Sequence, residues 1–145
     1  MIIGSALLGY QLEDDFFYFL KYREIATISG NRKNIRLRKT MACLIEYLFA
    51  HGLERIVSDE ELMVHVWEKN DLRPSSQRLW QVMQNLRRIL KDAGIEQDII
   101  LRVKTQGYYI NSHYVTTIYS VKSHKSFCQN DDATVQFCEI SELNY

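Results

Sequence analysis

The stretch PSSQRLWQVMQNLRRILK, residues 74–91, decides the fold class of this chain. At about 100° per residue, its apolar side chains fall within roughly a third of the helical circumference. The pattern predicts an amphipathic helix that begins at Pro74, with Ser75 and Ser76 in its first turn, and ends at Gly94. The apolar stripe consists of Leu79, Val82, Met83, Leu86, Ile89 and Leu90.

The segment after this helix has the features of a β-hairpin. Residues 99–103 and 108–110 are rich in β-branched and aromatic side chains, which favour strands. Lys104-Thr-Gln-Gly107 lies between them and suits a turn with a basic tip.

Two further helices are predicted before residue 74. Apolar residues recur at three- and four-residue steps between residues 41 and 49, which predicts a first helix over 39–50 with Gly52 at its C-cap. Ser58 and Glu61 have the spacing of a capping box. That box opens a second helix whose inward side carries Leu62, Val66 and Trp67.

Short strands are predicted from the N-terminus to about residue 38. The apolar run 1–10 favours a first strand, Ser29-Gly-Asn31 suits a tight turn, and Ile35-Arg-Leu-Arg38 alternates like a half-buried strand. The chain is therefore predicted to be an α+β protein. Its elements are an N-terminal antiparallel sheet, three helices and a C-terminal β-hairpin, which is the order of a winged helix-turn-helix with the hairpin as its wing.

The charge of the chain is unevenly distributed. Its 145 residues carry 18 basic and 18 acidic side chains, so the net charge is zero. Residues 31–56 and 73–110 each carry a net charge of +4, whereas residues 57–72 carry −4 and the two ends −2 each. The block 73–110 contains the long helix and the hairpin, so the positive charge is concentrated on two elements that can reach nucleic acid.

Several functional classes are excluded by composition and spacing. Three cysteines without a CxxC pair and four histidines without ligand spacing indicate neither a disulfide scaffold nor a metal site. Ser58, Asp59 and His65 do not form a hydrolase site, because Ser58 is better used as a helix cap and no oxyanion-forming glycine motif is present. We expect no enzymatic activity and no cofactor. We also expect a cytoplasmic protein, because no apolar stretch is long enough for a membrane span.

The exposed side of the third helix is equipped for DNA. Arginine can pair in a bidentate way with guanine, asparagine and glutamine with adenine, and lysine or arginine with phosphates. We expect this helix to lie in the major groove of a DNA duplex while the wing reaches an adjacent minor groove.

Four stretches, taken in order, resemble a known family. They are Ile35-Arg-Leu-Arg38, Val57-Ser-Asp-Glu-Glu-Leu62 with Val66-Trp67, Gln84-Asn-Leu-Arg-Arg-Ile-Leu90 and Val103-Lys-Thr-Gln-Gly-Tyr-Tyr-Ile110. Together they resemble the C-terminal DNA-binding domain of bacterial OmpR/PhoB-type response regulators and, within that superfamily, the ToxR/CadC-like regulators. The resemblance covers about residues 8–111. It implies a four-stranded N-terminal sheet, and it implies that the turn 69–74 faces RNA polymerase.

The resemblance also indicates the residues that contact DNA. Arg87 is expected to touch phosphate or an internal carboxylate, and Trp80 stands where the family usually has a polar residue. For Trp80 we keep two readings open, a core residue or a surface contact with DNA or a partner. The predicted base-reading residues are Gln81, Gln84, Asn85 and Arg88, and those predicted to attract phosphates are Arg73, Arg78, Arg87, Lys91, Arg102 and Lys104.

The chain is divided into a winged-helix domain over residues 1–111 and a C-terminal extension over 112–145. Strands are predicted at 114–121 and 134–140, as a hairpin extending the wing sheet, a dimerisation element or an effector contact. Cys128 and Cys138 could meet across such a hairpin. No receiver domain is present in the sequence, so we expect control other than by phosphorylation of an upstream aspartate.

The predicted function is a sequence-specific transcription regulator that binds double-stranded DNA, cooperatively or as a homodimer at repeated half-sites. The alternative is a winged-helix module that regulates transcription through protein contacts and has lost autonomous DNA binding.

Overall fold

The computed structural model describes residues 5–30 and 32–121, with Ser5 and Val121 described by their backbone only. The helix α2 (Asp59–Leu62) continues through a π-helical stretch, Met63–Trp67, and a 3-10 turn, Glu68–Asn70. In chain order the elements are β1 (Ser5–Leu12), β2 (Phe16–Phe19), β3 (Glu24–Thr27), β4 (Ile35–Arg36), α1 (Lys39–His51), β5 (Val57–Ser58), α2 (Asp59–Leu62), α3 (Ser76–Ala93), β6 (Ile100–Val103), β7 (Gly107–Ile110) and β8 (Val115–Val121). This is the α+β winged-helix architecture that the sequence predicts.

The larger sheet is antiparallel and has five strands in the order β4-β3-β2-β1-β8. The implied four N-terminal strands are confirmed, but the sheet has a fifth. The strand predicted at 114–121 is present as β8, although it does not extend the wing sheet. It pairs with β1 instead, with Leu12 opposite Val115 and Tyr10 opposite Thr117. This pairing places Val115 in the core beside Leu12, which explains why β8 joins this sheet.

Because β8 is an integral strand of the larger sheet, we propose that the winged-helix unit extends to Val121 instead of ending at residue 111. The predicted strand 134–140 and the pair Cys128 and Cys138 lie outside the described residues. Cys43, on α1, is half-buried and free.

The core lies between the larger sheet and the helices. Tyr10 and Tyr18 on the inner face of the sheet contact Phe49 of α1, with ring centroids 4.4 and 6.1 Å apart. The Tyr18 hydroxyl donates a 2.6 Å hydrogen bond to a carboxylate oxygen of Glu46, so its polar end is satisfied where the ring is buried. Burial and this hydrogen bond raise the pKa of Tyr18. Trp67, predicted to be a core residue, is only 3% exposed.

The first two helices begin and end much as predicted. α1 ends at His51 and is followed by Gly52, where a Cβ would lie 2.7 Å from the Leu48 carbonyl oxygen. The Ser58 hydroxyl caps α2 by accepting from the Glu61 amide at 3.0 Å. The Glu61 carboxylate does not complete the capping box, because it accepts hydrogen bonds from Arg55 and from the Tyr47 hydroxyl.

The third helix starts later than predicted. Ser75 is its N-cap and accepts from the Arg78 amide at 3.0 Å, so the first helical residue is Ser76 and Pro74 precedes the cap. The prediction that Pro74 begins the helix is wrong, because Ser75 has an extended backbone, with φ −157° and ψ 149°, and its hydroxyl caps the helix that follows. At the other end Gly94 is left-handed, with φ 113°, and closes the helix as predicted.

The wing belongs to a three-stranded sheet in the order β5-β7-β6. The predicted hairpin β6–β7 is confirmed, and β5 was not predicted because two residues show no periodicity. Val57 of β5 lies opposite Tyr108 of β7, which joins the wing to the start of α2. Tyr108 is buried.

Close contact between β5 and β7 depends on Gly107. Its φ is 151°, and a Cβ there would lie 2.0 Å from the Val57 carbonyl oxygen. We therefore expect Gly107→Ala to lower the free energy of unfolding by about 3 kcal/mol or more. Gly30→Ala is the matched control: φ is 76° but the space is open, and we expect a cost of about 1 kcal/mol. Urea denaturation of both variants measures this, and equal losses would contradict the proposed clash.

The ion pair between Arg55 and Glu61 predicts a dependence of stability on pH. The hydrogen bond from Arg55 is the main cause that lowers the pKa of Glu61 to about 2. An unfolded glutamate titrates near pH ~4.3, so the pair stabilises the fold fully above that pH and the stabilisation is lost as the pH falls toward the folded value. We expect Glu61→Gln to lower the free energy of unfolding at pH 7 by about 1 kcal/mol or less, because Arg55 is largely exposed.

The difference between Glu61→Gln and the parent protein should shrink as the pH falls from about 5 to 2.5. Urea titrations across this range measure it. Glu60→Gln, at an exposed position in the same helical turn, is the control and should leave stability nearly unchanged at each pH. A difference that does not vary with pH would show that Glu61 stabilises the fold by packing rather than by its charge.

Candidate nucleic-acid interface

The α3 helix presents two different sides. Leu79, Met83, Leu86 and Leu90 are buried, while Val82 and Ile89 are partly buried against the same core. This confirms the predicted apolar stripe. The side turned to solvent carries most of the predicted DNA-contacting residues, and the helix contains a single acidic residue, Asp92, in its last turn.

Nine of the ten predicted DNA-contacting residues are exposed, and Arg87 is half-buried. Arg73 precedes the N-cap of α3, Arg102 lies on β6, and Lys104 lies in the turn of the wing. The structure brings Gln84, Arg87 and Arg102 to one concavity between α3 and the wing. The other exposed members on α3 itself are Arg78, Gln81, Asn85, Arg88 and Lys91.

Arg87 connects α3 to the wing sheet. Its Nη2 donates a 3.0 Å hydrogen bond to the carbonyl oxygen of Ile100, the first residue of β6. The expected internal partner was a carboxylate, whereas the internal partner found is this backbone carbonyl. The Arg87 Nε is buried and has no hydrogen-bond partner among residues 5–30 and 32–121. This nitrogen is therefore an unsatisfied donor within the described part of the chain.

Arg102 is held by two contacts at the base of the wing. Its Nη1 forms a 2.7 Å ion pair with Asp59, at the start of α2. Its guanidinium carbon lies 4.6 Å from the centroid of the Tyr108 ring, within cation–π range. The hydrogen bond to Asp59 raises the pKa of Arg102. Asp59 thus partly neutralises a cation that was predicted to attract phosphates.

Sequence reasoning left the position of Trp80 open, and the structure settles it. The indole is 58% exposed, so the core reading is wrong. Its position outside the apolar stripe was the available signal. Ser76 and Gln77, exposed in the first turn of α3, line the same concavity as Trp80 and were not among the predicted contacts.

Other chemistries have little support in the described part of the chain. No group of three or more His, Cys, Asp or Glu side chains there could hold a metal ion. Ser58 serves as a helix cap, and His65 stacks on Tyr47 with ring centroids 4.9 Å apart. No helix among the described residues is both long and apolar enough to cross a membrane.

The ion pair of Arg102 predicts that Asp59 weakens DNA binding. We expect Asp59→Asn to raise the affinity for a DNA duplex by about threefold at low salt, because it removes a negative charge and releases the guanidinium for phosphate. Fluorescence anisotropy with a labelled duplex measures this. Glu60→Gln removes an equal charge from the next residue, which takes no part in the Arg102 ion pair, and should have a smaller effect. Equal gains from the two variants would attribute the effect to net charge alone.

Comparison with known proteins gives the family of this arrangement. The family model described as "Transcriptional regulatory protein, C terminal" matches residues 32–110, more than half of the chain. No curated protein shows significant similarity to the chain.

Three solved structures share the fold. The DNA-binding domain of Escherichia coli CadC aligns with a TM-score of 0.63 and 18% identity, covering 77% of this chain and 98% of that one. The C-terminal domain of NsrR, a lantibiotic response regulator for nisin resistance, aligns with a TM-score of 0.50 and 24% identity. This alignment covers 70% of this chain and 91% of that one. The DNA-binding domain of the response regulator AdeR, solved in complex with an intercistronic region, aligns with a TM-score of 0.54 and 18% identity. This alignment covers 70% of this chain and 97% of that one.

Proposed function

Because the chain belongs to the family of C-terminal domains of transcriptional regulatory proteins and is thus a DNA-binding transcription regulator rather than an enzyme, we propose that it reads duplex DNA with α3 and the wing. In this proposal α3 lies in the major groove. The hairpin β6–β7 enters an adjacent minor groove, and Lys104 lies at its tip.

The observation that carries the proposal is the continuity of α3 with the wing. Arg87 fixes α3 to β6, and one concavity is shared by residues of α3, β6 and β7. A duplex that accepts α3 therefore meets the wing without any rearrangement of the two elements. The AdeR domain, which shares this fold, was solved with DNA, and this supports the same use of the surface here.

The proposed contacts divide by their position on α3. Gln81, Gln84, Asn85 and Arg88 lie on the solvent side and would read base edges, because amides and guanidinium groups match the hydrogen-bonding pattern of the major groove. Phosphate contacts are proposed for the cations around that surface. These are Arg73, Arg78, Arg87, Lys91, Arg102 and Lys104, of which Arg87 and Arg102 also hold the wing in place.

Two further partners are proposed. In the turn 69–74, the Leu72 amide donates to the Trp67 carbonyl at 2.8 Å while the side chain of Leu72 is exposed. This fixed turn with an outward apolar side chain suits a contact with RNA polymerase. A second copy of the chain on a repeated half-site is proposed because a single α3 reads only a few base pairs. The alternative of a module without DNA binding has less support, since the family and the acid-poor face of α3 both favour DNA.

The division between base and phosphate contacts predicts different effects for two variants. For the parent protein, neutralisation of about six phosphates should make log K fall with log salt at a slope near −5. Gln81→Ala should relax the preference at about one base pair and keep the slope. Lys104→Ala should lower the affinity for all duplexes alike and reduce the magnitude of the salt slope by about one.

Selection of bound duplexes from a random pool, followed by titrations at several salt concentrations, measures both effects. The same selection with residues 122–145 removed tests whether the chain beyond β8 contributes, and this truncation leaves the five-stranded sheet complete. A slope close to zero for the parent protein would overturn the proposed function.

A further inference from the structure

The concavity between α3 and the wing has a composition suited to an anion. Its volume is about 500 Å³. Two guanidinium groups, those of Arg87 and Arg102, lie at its wall, together with the amide side chain of Gln84 and the indole of Trp80. Among the residues that the structure describes, Asp59 is the one acidic side chain that lines it. Donors therefore outnumber acceptors at this surface.

The exposure of Trp80 calls for a partner. A side chain of this size is usually largely buried, yet here 58% of it faces solvent. On a helix, positions 80, 84 and 87 share one side, and this side faces the wing, whereas positions 81 and 88 point further outward. Of the proposed base-reading residues, Gln84 shares this side with the indole, and the other three lie further from the wing.

Both arginines at the concavity retain capacity to bind. Arg87 uses Nη2 for the Ile100 carbonyl, and its half-buried side chain also lines the concavity, where its charge can act on an anion. Arg102 shares Nη1 with Asp59 and rests on Tyr108, so one end of its guanidinium is positioned in advance. Two cations held by the protein in this way lose little conformational freedom when an anion arrives.

We propose that this concavity, with Trp80 at its edge, binds one phosphodiester group of the DNA backbone together with its deoxyribose. The indole N–H donates to the phosphate and the ring packs on the sugar, while Arg87 and Arg102 supply the opposing charge. The inference rests on the proposed function, because the strand that passes from the groove read by α3 to the groove entered by the wing must cross the surface between them. Trp80 then adds affinity for DNA of any sequence.

The chemistry favours a backbone contact over the alternatives. Three of the four proposed base-reading residues, Gln81, Asn85 and Arg88, point away from the wing, whereas Trp80 lies on the wing side of α3 with Gln84 beside it. A protein partner would need an apolar surface of some extent, and the neighbours of this indole in the concavity are mostly polar or charged.

The test compares Trp80→Ala and Trp80→Phe with the parent protein. Affinities are measured for a selected duplex and for a scrambled duplex of equal length. Methylphosphonate groups, which are neutral, then replace the phosphates of the selected duplex one at a time. Tyr22→Ala is the matched control, because Tyr22 is also an exposed aromatic residue, at 51%, and lies in the turn between β2 and β3. Circular dichroism verifies that each variant is folded.

We expect Trp80→Ala to lower the affinity for both duplexes by about tenfold. Trp80→Phe keeps a ring but loses the N–H donor, so its affinity should lie between those of Trp80→Ala and the parent protein. At one or two positions, a methylphosphonate should lower the affinity of the parent protein for the duplex. The same substitution should have little further effect on the affinity of Trp80→Ala. Tyr22→Ala should bind like the parent.

Three results would overturn the inference. A change of base preference in Trp80→Ala would assign the indole to base reading, and unchanged affinity for both duplexes would exclude a DNA contact. Equal losses at every methylphosphonate position in the parent and Trp80→Ala would show that the two groups act independently. Failure of the proposed function is distinguishable from all three, because the parent protein itself would then bind no duplex.

Discussion

The α3 helix must bury one side completely while its opposite side stays in water, and the arrangement of the other elements follows from this constraint. Met83 and Leu86 have no measurable exposure, and the larger sheet, α1 and α2 contribute to the core in which they lie. The side that remains free can only be the one turned away from that core. Since Arg87 joins this helix to β6, the wing is placed along the flank of the free side and not behind it.

The parts of the fold that depend on local periodicity were predictable, and those that depend on long-range pairing were not. The apolar stripe of α3, the extent of α1 and the cap at Ser58 each follow from residues close together in sequence. The partner of β8 does not, because a strand pattern does not state which edge of which sheet it joins. Nothing in the local sequence around Val115 distinguishes pairing with β1 from pairing with the wing.

The candidate site shows the same division. Exposure of Gln81, Asn85 and Arg88 follows from helical geometry and was predicted from the sequence. The hydrogen bond of Arg87 to a backbone carbonyl was not predicted. The ion pair of Arg102 with Asp59 was not predicted either, since Asp59 is 43 residues away along the chain. Sequence charge counts treat these two arginines as equal to Lys104. In the structure both also hold the wing, and Asp59 partly neutralises Arg102, so the charge free to attract DNA is smaller than the count for residues 73–110 suggests.

This reduction bears on how a chain of zero net charge can bind a polyanion. General attraction by net charge is absent, so binding must come from the cations gathered on α3 and the wing. The acidic turn at the start of α2 lies close to the wing through Asp59, which lowers the local potential. Under the proposed base reading by α3, this favours duplexes that also satisfy the amides of that helix. One charge arrangement then has two consequences. Attraction to DNA in general is weak, which limits binding at other sequences. Close fit to a particular duplex adds affinity at the selected sequence.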